Sequence, residues 1–153
     1  PLGATMAPMV ADVVRVLLSN DADANAATAN GMTPLHMSSS ADHTAAAALL
    51  IEYEAQLDRR TAKGETALHL AVANGAAEAA ALLLSRGASV DAATTGDGAT
   101  PLFFAAQRGG AEGAAMATLL LDAGANASIA TSAGLTPLAL YCCFSYYFLF
   151  HGL

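Results

Sequence analysis

Four histidines, two cysteines and thirteen carboxylates are the groups in this 153-residue chain with the capacity for chemistry. His36 and His69 are the first to consider, because paired imidazoles suit metal ligation or proton transfer. They stand 33 residues apart, which is no ligand spacing on a single helix. His43 follows Asp42 in a stretch that reads as a turn. Cys142 and Cys143 are adjacent, so they supply neither a disulfide framework nor a spaced zinc pair. No Ser, His and Asp set stands out, and no glycine-rich phosphate loop; Gly109-Gly110 and Gly113 read as a turn and a short insertion near it. The sequence therefore predicts no catalysis, no metal and no cofactor.

Composition narrows the remaining classes. Hydrophobic residues make up 55% of the chain, too many for a disordered segment. Six Lys and Arg against thirteen Asp and Glu leave a net charge of −7, so no nucleic-acid partner is expected. No run reaches the roughly 18 apolar residues of a membrane span. The cysteine usage suits a reducing, cytoplasmic compartment.

The elements that must position any site follow from an internal repeat. Thr33-Pro34-Leu35-His36, Thr66-Ala67-Leu68-His69, Thr100-Pro101-Leu102-Phe103 and Thr136-Pro137-Leu138-Ala139 recur 33, 34 and 36 residues apart. Gly31, Gly64, Gly98 and Gly134 lie two residues before each Thr, and suit turns with positive φ. Thr is a good helix N-cap and Pro a good first helical residue, so each motif opens a helix. Leucine runs ending in Gly87-Ala88 and Gly124-Ala125 close a second helix. Helices are predicted near 34–41, 67–74, 101–108 and 137–144, and near 44–52, 77–85 and 115–122. Leu35, Leu68, Leu102 and Leu138 are expected in the core. The third copy carries one extra residue at its tip and about three more near Gly113 to Ala115.

These motifs resemble the ankyrin repeat. The resemblance implies an all-α repeat solenoid of stacked helix-turn-helix units joined by β-hairpin-like turns. The expected units are a half-repeat over 1–28, repeats over 29–61, 62–95 and 96–131, and a truncated fourth over 132–153. Val13 to Leu18 followed by Asp21 to Asn25 match an outer helix and its turn, the remainder of a longer array or a degenerate cap. Thr28, Thr61, Thr95 and Thr131 stand where the family usually has Asp. In the family the motif histidine is structural, which is the role implied for His36 and His69; Thr33, Pro34, Thr66, Thr100, Pro101, Thr136 and Pro137 are motif residues in the same sense.

The resemblance also implies a function: a non-catalytic scaffold that binds another protein, as a monomer, through hairpin tips and the concave inner-helix face. The matching positions include Asn30, Met32, Lys63, Glu65, Asn74, Asp97, Gln107 and Arg108. The alternative is a regulatory or targeting segment of a larger enzyme, channel or ubiquitin-ligase adaptor. Arg59, Arg60 and Lys63 hold three of the six positive charges within five positions, a local spot able to steer an acidic partner. Arg108 is expected on the same side, and the competing arrangement pairs Lys63 with Asp97. Asn25, two residues after Asp23, resembles sites modified by the asparaginyl hydroxylase of ankyrin repeats; the other reading is a turn-stabilising Asn. Six of nine aromatics fall in 141–150, and this run reads as a fourth repeat that breaks off.

Overall fold

In each described repeat a threonine stops the chain from running straight into its helix. The computed structural model describes residues 3–142, with side chains from residue 9 onward. Thr33 is extended (φ −102°, ψ 167°) and its hydroxyl accepts from the His36 amide, with Pro34 opening the first turn. Thr100 and Thr136 cap the Phe103 and Ala139 amides in the same way, at 3.4 and 3.2 Å.

Eight helices result among the described residues. The inner ones are α2 (Pro34–Ser40), α4 (Ala67–Asn74), α6 (Pro101–Arg108) and α8 (137–142), and the outer ones are α1 (Gly3–Leu18), α3 (Thr44–Glu52), α5 (Ala77–Ser85) and α7 (Gly110–Asp122). Inner helices stack α2 on α4 on α6, outer helices α1 on α3 on α5, and each of α2, α4 and α6 packs against the outer helix that follows it. The chain is thus an all-α repeat solenoid. No strand forms among the described residues, and hairpin-like turns carry the connections instead.

The core is built from small residues at the crossings and leucines between them. Ala47, Ala71, Ala79, Ala80 and Ala105 are fully buried, as are Leu35, Leu83 and Leu120. A fully buried leucine contributes about 1.5–3 kcal/mol, whereas the alanines contribute chiefly by letting helices approach.

Four expectations need correction. Leu35, Leu68 and Leu102 are buried, but Leu138 is 71% exposed, because no outer helix lies over α8 among the described residues. The insertion in the third repeat is helical: α7 begins at Gly110 and has 13 residues where α3 and α5 have nine. Gly113 lies inside it, and a Cβ there would sit 2.6 Å from the Ala105 carbonyl oxygen, so the close α6–α7 crossing requires glycine. The threonine of the third tip is Thr94, not Thr95. Its amide bonds the Ala99 carbonyl as Thr28 bonds Met32 and Thr61 bonds Glu65, so the extra residue lies after it. Finally, α1 runs for 16 residues, well beyond the Val13 to Leu18 segment. Five of the six aromatics of the 141–150 run, with Cys143, lie outside the described residues.

Candidate partner-binding face

The turns between repeats are locked from within before they meet one another. The Thr28 hydroxyl accepts from the Met32 amide at 3.2 Å, Thr61 from Lys63 and Glu65 at 3.3 and 3.2 Å, Thr94 from Ala99 at 2.9 Å and Thr131 from Leu135 at 3.3 Å. A threonine hydroxyl thereby does the work of an Asx turn. Adjacent tips are joined by main-chain bonds: Ala62 N–H to Asn30 O at 2.9 Å, Thr95 N–H to Lys63 O at 3.2 Å and Ser132 N–H to Asp97 O at 2.7 Å. Asn30, Lys63 and Asp97 therefore occupy the same position on successive tips, and all three side chains are exposed.

The motif histidines hold the tips to the helices. The His36 Nδ1 accepts from the Thr33 amide at 3.2 Å while Nε2 faces the Glu65 carbonyl at 3.3 Å in the next repeat. His69 repeats this with Thr66 at 3.1 Å and Ala99 at 3.1 Å. A carbonyl can only accept, so both rings are neutral with the proton on Nε2. Burial lowers both pKa values below the usual imidazole range, against the smaller opposing pull of the carbonyls. With both nitrogens committed, neither ring is open to a metal or a substrate. Among the described residues no three of His, Cys, Asp and Glu converge on a metal-sized site, and no helix is long and apolar enough to cross a membrane.

Lys63, Glu65 and Asp97 come together around a groove of about 450 Å³ between the second and third tips, with Phe104 in its wall. Phe104 also meets His69 edge to face at 5.4 Å between ring centres, so the groove wall is tied to the buried histidine. Lys63 does not pair with Asp97. That carboxylate instead accepts from the Thr94 hydroxyl at 2.5 Å and the Ala99 amide at 3.3 Å, and the hydroxyl bond first of all holds its pKa below the usual range. Among the described residues the one ion pair within 4.0 Å is Arg108–Glu112.

The positive residues do not form one cluster. Arg59 is exposed and makes no side-chain hydrogen bond, whereas the Arg60 guanidinium donates to the Ala93 and Gly64 carbonyls and so bridges two tips. Arg108 lies at the far end of α6, about 12 Å along the helix from the tips. Its guanidinium donates to the Ala73 carbonyl at 2.8 Å and pairs with Glu112 at 2.5 Å. It rests over Gly75, where a Cβ would come within 2.5 Å of Nη2, so the left-handed glycine also clears the seat for this arginine. Asn74 Nδ2 donates to Ser40 Oγ at 3.0 Å, Gln107 is exposed, and Met32 is half-buried.

On the outer edge, Asn25 is clasped by the next turn. Its Oδ1 accepts from the Gln56 amide at 2.8 Å and its Nδ2 donates to the Glu54 carbonyl at 3.1 Å, while the Asn25 amide donates to Asp23 Oδ1 at 2.8 Å. Asp58 and Asp91 take the Ser89 and Asn126 amides in the following repeats, each at 2.9 Å. Sequence reasoning missed a related residue. Asp42, at φ +56°, accepts from the Ala79 amide at 2.9 Å and so caps the outer helix of the neighbouring repeat. The signal was legible: Asp42 stands where later copies have Gly75 and Gly109, and Asp is among the few residues that tolerate the left-handed region.

The exposed tips, the mixed-charge groove and the buried histidines thus belong to one periodic design. The family model for ankyrin repeats in three copies matches residues 4–94, and the model for a single ankyrin repeat matches residues 97–132. No curated protein matches the sequence. Ankyrin repeats are generally protein-interaction modules and typically non-catalytic. On this match, and on the repeat architecture that accompanies it, the chain belongs to the ankyrin-repeat family.

Proposed function

We propose that the chain is a non-catalytic scaffold that binds a partner protein through its hairpin tips and concave inner-helix face. The observation that carries this reading is the row of exposed side chains Asn30, Lys63 and Asp97, held in register by backbone bonds between successive tips. Rigid main-chain stacking presents variable side chains at little cost in ordering entropy, which favours recognition. The groove between the second and third tips, with Phe104 as an apolar contact and Lys63 in its lining, supplies the centre of the surface. Of the positive groups on the turn into the second repeat, Arg59 and Lys63 make no side-chain hydrogen bond while Arg60 does, so an acidic partner segment gains most at those two.

The test is a charge reversal limited to those two residues, since Arg60 and Arg108 tie repeats together. Arg59→Glu with Lys63→Glu leaves the melting curve in place and weakens capture of the partner at low salt, and the loss shrinks as salt rises past the Debye screening range. Partners captured from lysate are identified and titrated against both proteins. Equal affinity of wild type and variant at 20 mM salt, roughly a 20 Å screening length, removes the tip surface from consideration.

A further inference from the structure

We propose that the groove between α5 and α7 is a second docking surface, one that takes a partner's amphipathic helix bearing lysine or arginine beside its apolar face. Outer helices stack α1 on α3 on α5, but α7 packs onto α6 and does not continue that stack. The added first turn of α7 accounts for this, since Gly113 seats it directly against the Ala105 carbonyl on α6. The gap that opens between the two outer helices holds about 490 Å³. It is preformed, because Met116 and Leu120 anchor α7 in the core and Ala79, Ala80 and Leu83 anchor α5.

The walls suit a helix. Ala77 and Ala81 on α5, and Ala115 and Leu119 on α7, are pairs one turn apart, so each wall is a single apolar ridge. The three alanines are exposed, and such small side chains let helix axes approach to about 8 Å. From Glu112 to Leu119 the groove runs about 10 Å, or two helical turns, which accommodates apolar side chains spaced i and i+4. The charges select the occupant. Glu78 and Glu112 stand in the first turns of the two helices, and no lysine or arginine lines the groove. Glu112 is partnered by Arg108, whereas Glu78 makes no ion pair within 4.0 Å among the described residues. A cation on the incoming helix therefore finds Glu78 unneutralised, while an acidic segment meets two carboxylates. A second copy supplies no such helix, because none of the described helices carries more than one lysine or arginine.

This surface is separate from the tips, and its test uses different variants. The probe is a fluorescein-labelled peptide of roughly 16 residues, long enough to hold a helix, with leucine and alanine on one face and lysine on both flanks. It is titrated into the full chain at low salt beside two controls, the same composition scrambled and a version with glutamate for lysine. The basic amphipathic probe binds, and its amide shift changes concentrate at Ala77, Glu78, Ala81, Ala115 and Leu119. Ala81→Arg, which fills the groove and repels the probe, weakens binding about tenfold, and Glu78→Lys about fivefold, each with the melting curve in place. Should Ala81→Arg melt early, Glu78→Lys and the shift map decide. Arg59→Glu with Lys63→Glu leaves probe binding within about twofold, so the tip surface and this groove stand or fall separately. Binding equal in wild type and Glu78→Lys overturns the proposal, as does equal binding of the scrambled or glutamate peptide, or no saturation by about 1 mM. A dimer of the wild type that Ala81→Arg abolishes also overturns it, and assigns the groove to a second copy.

Discussion

His36 and His69 make the stability of the array depend on pH in a direction opposite to a salt-bridged histidine. Each is neutral when buried and has a lowered pKa in the folded state, so the unfolded chain binds more protons once pH falls below about 6.5. Stability is full above about pH 7 and is lost progressively below 6.5, toward the lowered folded values. Urea unfolding should give the same midpoint at pH 7.5 and 8.5 and a lower one at pH 5.5. His69→Phe, which copies the residue the third repeat already carries at Phe103, should flatten the acid limb while costing about 1–3 kcal/mol at pH 7.5. The cost arises because the Thr66 amide loses the imidazole that accepts from it and the Ala99 carbonyl keeps only the Thr94 amide. An acid limb that persists in full in the double variant His36→Phe, His69→Phe would assign it to the carboxylates instead.

At the scale of the helices, the repeats are riveted by side chains that reach into a neighbour: Asp42 forward to the start of α5, Arg108 back to the end of α4. Against this background Ser39 stands out, fully buried in α2 with a hydroxyl that has no hydrogen-bond partner. A buried hydroxyl left unpaired costs about 1–3 kcal/mol, and alanine is also the better helix former. Ser39→Ala should raise Tm by roughly 2–6 °C, read by circular dichroism at pH 7.5. A fall in Tm would mean that the hydroxyl is satisfied. The same contrast marks what was legible in the sequence. Thr-Pro-Leu-His and its variants placed α2 to α6 within a residue or so, because caps and turn glycines act over three or four residues. Asp42 and Ala79, or Arg108 and Ala73, are 37 and 35 residues apart, and nothing local in either stretch announces the pairing. The tip surface was placed through the family register, but only the fold reveals that Arg60 and Arg108 spend their charge on carbonyls and Lys63 does not pair with Asp97. Leu138 read as core because its Thr-Pro-Leu was in place; a motif does not report which elements pack over it, and none of the described helices covers Leu138.

For the whole molecule, a net charge of −7 with one ion pair among the described residues means that self-repulsion outweighs internal pairing. Added salt should therefore stabilise the chain. Melting in 0.5 M NaCl, where the screening length falls to about 4 Å, should occur a few degrees above melting in 20 mM. A lower Tm in high salt would show attraction dominating. Because stacked repeats touch only their neighbours, that gain should spread over the array and leave the transition no less cooperative.

The bonds from Ala62 to Asn30, Thr95 to Lys63 and Ser132 to Asp97 involve only peptide groups. Positions 30, 63 and 97 contribute their carbonyls, which every amino acid carries, so these rungs do not depend on the side chains there. Selection, or a protein engineer, is then at liberty to rewrite the letters at 30 and 63 one at a time, whereas Asp97 also holds its own tip through Thr94 and Ala99. The molecule works like a type case whose frame is fixed and whose sorts are interchangeable, and a change of letter need not pass through an unfolded intermediate.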